Sequence, residues 1–126
     1  MPQAHFGGAL VVITGGGRGI GRATAVAFAG LGARVVIGDL DEAVAQRTAD
    51  EIGGSTRGFA LDVASRESYT SFLDTVKREI GPVDVLVNNA GIMPAGAFTD
   101  GPLELVRATI DVNLWGVMLG CHLVLP

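Results

Sequence analysis

The stretch Thr14-Gly15-Gly16-Gly17-Arg18-Gly19-Ile20-Gly21 (TGGGRGIG) decides the fold. It lies between an apolar run, Ala9 to Thr14 (ALVVIT), and a segment with helical spacing, Gly19 to Leu31. Continuous Val- and Ile-rich runs fit a strand buried on both faces. Ile20, Ala23, Ala27 and Leu31 recur at a helical period, and Gly32 provides a stop. A strand therefore hands over to a helix through glycines. A helix start carries unpaired N–H groups and about half a positive charge, so it attracts an anion where the backbone can be approached closely. Glycine permits that approach because it has no side chain to hold the anion off.

The alternation repeats along the chain. Arg34 to Asp39 (RVVIGD) reads as a second buried strand, and Asp41 to Ile52 as a helix capped by Asp41 and ended by Gly53-Gly54. Thr56 to Val63 is the third strand. Ser65 to Ile80 is the third helix, capped by Ser65 and closed by Gly81-Pro82. Val83 to Asn88 is the fourth strand. A turn-rich stretch, Asn89 to Gly101, leads to a last helix running from Pro102 towards Leu125. Met1 to Gly8 reads as a loose lead-in. The order β-α-β-α-β-α-β-α predicts one α/β domain over residues 1–126: a doubly wound, Rossmann-type parallel sheet, strand order 3-2-1-4, with helices on both faces and right-handed crossovers.

Bulk composition narrows the function. The chain has 126 residues, 48% hydrophobic and 17% charged, which suits one folded domain. A net charge of −4 argues against nucleic acid or an anionic membrane as the main partner. Cys121 is the one cysteine, so no internal disulfide forms, and a reducing, cytoplasmic setting is expected. No signal peptide is visible, and the apolar stretch Val117 to Pro126 is too short to span a membrane. No cysteine or histidine pair stands at metal-binding spacing, so no metal site is expected.

The glycine spacing is specific. Gly15, Gly19 and Gly21 fit G-x-x-x-G-x-G; the common G-x-G-x-x-G fails because Ile20 stands where a third glycine would be. A triphosphate-binding loop from Gly16 to Gly21 fails too: Arg22 and Ala23 replace its lysine and its hydroxyl residue. Gly15 allows the sharp exit from the strand, Gly19 lets backbone meet a diphosphate, and Gly21 lets the helix pack closely. Arg18 at the mouth faces a phosphate or the adenosine ribose. Alone, the loop is equally a turn that binds nothing. Asp39 weighs against that: it ends the second strand about 20 residues on, where a carboxylate accepts hydrogen bonds from a ribose 2′-hydroxyl and repels a 2′-phosphate. This favours NAD over NADP, while Arg18 keeps NADP open. Asp39 could instead pair with Glu42 in a capping box, but Asp41 is the better-placed cap.

At this point the residues resemble the short-chain dehydrogenases/reductases. TGGGRGIG is similar to the family's T-G-x-x-x-G-x-G loop, Asp39 to its strand-end acid in NAD-preferring members, and Leu61-Asp62-Val63 to the segment that brackets adenine. Asn88-Asn89-Ala90-Gly91 resembles its N-N-A-G motif, and Val112-Asn113 the helix carrying a catalytic asparagine. The resemblance implies a cofactor site of Gly15, Gly17, Arg18, Gly19, Ile20, Gly21, Asp39, Leu40, Asp62, Val63, Asn89, Ala90 and Gly91, with Asn113 catalytic. It also implies hydride transfer between NAD(H) and a small alcohol or ketone. Read singly, Asn88-Asn89 also fits a plain turn, Asp62 a loop carboxylate or cap, and Asn113 an ordinary polar contact.

Members of that family carry a catalytic serine and a Tyr-x-x-x-Lys pair after a fifth strand. Here the one tyrosine is Tyr69, and Leu73 stands four residues on. Tyr69 reads as a packing or surface residue of the third helix. The chain is thus expected to be a fragment of a longer enzyme, inactive alone; the alternative is an NAD-binding module without turnover. The fourth strand would then be a sheet edge. Leu114, Trp115, Val117, Met118, Leu119, Leu123 and Val124 exceed what one helix face can bury, so much of the last helix is expected to pack on another helix or subunit. The resemblance implies a homo-oligomer interface there, with Cys121 and His122 as packing residues. Gly91 to Phe98 is expected to wall a substrate pocket, with Met93 and Phe98 as its apolar members.

Overall fold

The structure, a computed structural model, describes residues 5–126. Its strands are β1 (Leu10–Thr14), β2 (Arg34–Asp39), β3 (Arg57–Ala60) and β4 (Val85–Val87). The helices are α1 (Gly19–Gly30), α2 (Glu42–Ile52), α3 (Arg66–Glu79), α4 (Leu103–Ile110) and α5 (Gly116–Val124). The strands form one parallel sheet in the order β3-β2-β1-β4.

The sheet is covered on both faces because successive residues of β1 point in opposite directions. Leu10 and Val12 join Val36, Leu61, Val63, Tyr69, Phe72, Val76 and Leu119 in one core, against α3 and α5. Val11 and Ile13 join Ala25, Ala33, Val35, Ile37 and Ala45 in the other, against α1 and α2. This is why β1 and β2 read as unbroken apolar runs.

The helix punctuation is visible in hydrogen bonds. Asp41 Oδ1 accepts from Val44 N–H at 3.2 Å, and Ser65 Oγ accepts from Ser68 N–H at 3.1 Å. Gly32, at φ 84°, ends α1 with its N–H on the Ala29 carbonyl at 3.0 Å. Pro102 caps α4 rather than opening it.

Three expectations need correction. The third strand stops at Ala60, not Val63, because Asp62 closes a turn: its carboxylate accepts from Ala64 N–H at 3.0 Å, and its carbonyl from Ser65 N–H at 3.1 Å. The last helix is not uniform. A π-helical segment, Asp111–Trp115, joins α4 to α5, with Gly116 N–H reaching back to the Asp111 carbonyl, and a short 3₁₀ turn, Phe98–Asp100, precedes α4. The lead-in was expected to be loose. Residues 1–4 lie outside the described residues, but Phe6 docks on Phe28, edge to face at 5.0 Å.

Tyr69 is fully buried, so it is a packing residue and not a surface one. Gly120 makes room for it, since a Cβ there would strike the Tyr69 hydroxyl. Cys121 also packs inward: Asn88 Nδ2 contacts its Sγ at 3.5 Å. β4 lies at one edge of the sheet. Among the described residues, no helix is long and apolar enough to cross a membrane.

Candidate functional site

The carboxyl ends of all four strands open into one cleft of about 1110 Å³. Gly15, Arg18, Ile20 and Gly21 line it from the glycine turn; Asp39 and Leu40 follow β2; Asp62 and Val63 follow β3. Asn89, Ala90 and Gly91 line it after β4, joined by Ile92 and Val112. Ligands bind where strand order reverses in such sheets, and here that point lies between β1 and β4.

The turn is built by close contact. Gly15 adopts φ 64°, and a Cβ on it would stand 2.9 Å from Ala90 Cα. A Cβ on Gly21 would collide with the Gly15 carbonyl and lie 2.5 Å from Asn89 Nδ2. The start of α1 therefore sits directly on the strand exit. Gly19, at φ 57°, faces open space, so it is required for its backbone angle and not for packing. Among the described residues no side chain caps α1, and no acid occupies its first turn. The first bond of the helix runs from Arg22 N–H to the Arg18 carbonyl at 3.2 Å. The earlier amides are thus available to an anion.

Asn89 locks this turn to β4. Its Nδ2 donates to the Thr14 carbonyl at 3.0 Å and the Gly15 carbonyl at 3.1 Å. Thr14 Oγ1 accepts from Asn89 N–H at 3.0 Å and Ala90 N–H at 2.9 Å. The sequence reading assigns Thr14 no role of its own; the signal for one is a hydroxyl residue at the last position of a buried strand. Asn88, by contrast, points away from the cleft towards α5.

Asp39 is 9% exposed. Its Oδ2 accepts from Gly17 N–H and its Oδ1 from Asp41 N–H, both at 3.1 Å. Each carboxylate oxygen keeps a further lone pair for a ligand. Gly17 was expected to touch a cofactor; it is buried behind the turn, where a Cβ would stand 2.6 Å from Asp39 Oδ2. Arg18 is exposed at the rim, its Nη2 3.9 Å from Asp41 Oδ2. Asp62 is exposed, with one oxygen held by its own turn. Asn113 stands on the π-helical segment with both ends of its amide on the Ile92 backbone, at 2.8 and 2.7 Å.

A second cavity of about 570 Å³ adjoins the cleft, sharing Ile92. Met93, Phe98, Leu105, Val106 and Ile110 line it, with Asn113 at its edge. Among the described residues, no group of three or more His, Cys, Asp or Glu is placed to hold a metal.

Compared with known proteins, residues 9–126 match the pattern of the family described as short chain dehydrogenase. The chain belongs to that family. Its members typically bind nicotinamide cofactors. The chain is similar to "Probable oxidoreductase EphD" of Mycobacterium tuberculosis, at 48% identity over 124 residues, covering 96% of this chain and 21% of that protein. It is similar to "Epidermal retinol dehydrogenase 2" of Homo sapiens, at 37% identity over 116 residues, covering 89% of this chain and 38% of that protein. A solved structure described as a short-chain dehydrogenase, from Novosphingobium aromaticivorans, superposes with a TM-score of 0.89 at 29% identity, over 98% of this chain and 47% of that one. The chain thus spans less than half the length of each of these proteins.

The cleft fits such a group. A glycine cradle that a Cβ would fill, a helix start without an acid and a held carboxylate lie along one surface. In doubly wound folds a dinucleotide presents its diphosphate and adenosine sugar to features of this kind.

Proposed function

We propose that this chain forms the NAD-binding part of an oxidoreductase that transfers a hydride between NAD(H) and an alcohol or ketone. The observation that carries this is the Asp39 carboxylate, tied to Gly17 N–H at 3.1 Å in the same cleft as the free first turn of α1. The first-turn amides of Gly19, Ile20 and Gly21 hold the diphosphate. Asp39 accepts from the adenosine ribose and, by its charge, disfavours a 2′-phosphate. Leu40, Asp62 and Val63 flank the adenine, and Ala90 and Gly91 form the floor under the nicotinamide end.

Bound nicotinamide supplies the hydride donor or acceptor. Asn113 acts as a positioning residue: by fixing Ile92 it sets the wall between the cleft and the apolar cavity. That cavity, with Met93 90% and Phe98 77% exposed, suits a substrate with an apolar body. The name of the human retinol dehydrogenase relative points to an alcohol of that kind.

The proton-transfer group is assigned outside residues 1–126. Tyr69 is sealed in the core and is followed four residues later by Leu73. The same observation supports a second reading, an NAD-binding module without turnover. The exposed face of Leu114, Trp115 and Met118 is proposed as a contact between copies of the protein; a purely monomeric sedimentation profile would remove it. The free thiol of Cys121 suits a reducing, cytoplasmic setting.

Calorimetric titration tests the main reading. NAD is expected to bind and NADP to bind more weakly. Equal affinities would remove the role given to Asp39. NADH formation from secondary alcohols by this chain alone would show that the proton-transfer group lies within it.

A further inference from the structure

We propose that Thr48, on α2, is a positioning residue for the diphosphate turn, an inference that rests on the reading of the cleft given above. Gly17 is gripped at both polar atoms of its backbone by groups outside the turn. Its N–H donates to Asp39 Oδ2 at 3.1 Å, and its carbonyl accepts from Thr48 Oγ1 at 2.6 Å. Both bonds are buried, and Thr48 itself is 4% exposed.

The bond to Gly17 is not what a helical threonine ordinarily makes. A threonine inside a helix tends to donate to the carbonyl four residues back. Thr24 does so to Ile20 at 2.8 Å, and Thr109 to Leu105 at 2.8 Å. Thr48 instead spends its hydroxyl on a carbonyl 31 residues away. Its inward position puts the donor against the turn, and the lack of a side chain at Gly17 lets the turn come down onto α2. A Cβ on Gly17 would stand 2.8 Å from Val44 Cγ1 as well as against Asp39.

The consequence follows from peptide planarity. In a trans peptide the N–H lies opposite the carbonyl of the preceding residue. With the Gly17 carbonyl pinned on Thr48, the Arg18 N–H is turned away from α2. Arg18 is extended, at φ −154° and ψ 171°, and is the cap residue of α1. The orientation of the Gly17–Arg18 peptide thus sets where α1 begins and how its free amides are aimed. Thr48 and Asp39 hold that peptide and its neighbour before any ligand arrives, which lowers the ordering cost of binding. The same carboxylate that recognises the sugar also braces the phosphate turn, so the two subsites share one support.

The test compares wild type with Thr48→Val, which keeps the shape and removes the donor, with Thr48→Ala as a second donor-less variant and Thr48→Ser as the conservative one. The first readout needs no cofactor: amide hydrogen exchange at Gly17, followed by NMR, with Val12 and Ile13 of β1 as the reference. In Thr48→Val, Gly17 exchange is expected to quicken roughly tenfold while the β1 amides keep their rates. The second readout is NAD titration, where affinity is expected to drop roughly five- to tenfold in Thr48→Val and Thr48→Ala and to return to within about twofold in Thr48→Ser.

Unchanged Gly17 exchange and unchanged NAD affinity in Thr48→Val would overturn the proposal. So would equal acceleration at β1, which means a general loss of stability, and so would a Thr48→Ser variant as weak as Thr48→Val. If wild type binds no NAD, the reading of the cleft fails by itself, and the Gly17 exchange rates still decide whether Thr48 braces the turn.

Discussion

Asn113 and Ile92 exchange two hydrogen bonds: Ile92 N–H donates to Asn113 Oδ1 at 2.8 Å, and Asn113 Nδ2 donates to the Ile92 carbonyl at 2.7 Å. The side-chain amide pairs with the backbone as a neighbouring strand would. It ties the chain leaving β4 to the π-helical segment between α4 and α5. Asn113→Leu, close in size but without polar atoms, should cost about 1 to 2 kcal/mol of stability and speed exchange at the Ile92 amide. Urea unfolding and NMR exchange check both; an unchanged midpoint would show that water replaces the pair without loss.

Asp39 is braced by two amides and is the acid nearest the glycine turn. Asp39→Ala is expected to weaken NAD more than NADP, because it removes both a ribose acceptor and a charge that repels a 2′-phosphate. The NAD-to-NADP affinity ratio should fall roughly tenfold, as for the loss of one charged hydrogen bond. Calorimetry with both cofactors reads it, and equal losses would assign Asp39 to the turn alone.

Gly21, in the first turn of α1, and Gly30, its last residue, have opposite prospects. A Cβ on Gly21 meets the Gly15 carbonyl, which is backbone and has little room to yield, whereas a Cβ on Gly30 meets nothing within 4 Å. Gly21→Ala should lose about 2 kcal/mol or more, and Gly30→Ala should gain about 0.5 kcal/mol. Thermal melts of the two variants decide it; similar melting temperatures would mean that the α1 start can slide off the strand.

Tyr69 is sealed in the core with a hydroxyl that finds no partner among the described residues. Burial, and then a negative charge on Cys121, push its pKa up to about 12. The folded chain therefore holds the phenol proton where the unfolded chain, with a pKa near 10, has begun to release it. The resulting stability is fully present below about pH 10 and is lost as pH rises towards 12. Tyr69→Phe should be at least as stable as wild type at pH 7 and should flatten the alkaline loss. Urea midpoints at pH 8, 10 and 11 test this; identical slopes for the two proteins would contradict it.

The layered α/β architecture was legible because each central strand must satisfy two cores at once. Leu10 and Val12 serve one, Val11 and Ile13 the other, and only an unbroken apolar run can do that. Ends decided by side chains were less legible: Asp62 turns its carboxylate onto Ala64 and takes the chain out of the sheet three residues early. Nothing in residues 102–125 announces the π-helical segment, and Ile110, Asp111 and Gly116 at its ends keep ordinary helical angles. In the cleft, Gly17 could be read as a required glycine but not for its cause. Its tight neighbours, Asp39 and Val44, come from other elements and meet it only in three dimensions. Thr48 was hidden for the same reason, because nothing in sequence separates it from Thr24 or Thr109.

The most direct measurement is an NMR titration of the ¹⁵N-labelled chain with NAD. Saturable shifts are expected at Gly19, Ile20, Gly21, Leu40 and Ala90, with the outer face of α3, at Thr70 and Asp74, unmoved. No shift in a cooperatively folded chain, or shifts confined away from the glycine turn and Asp39, would contradict the account.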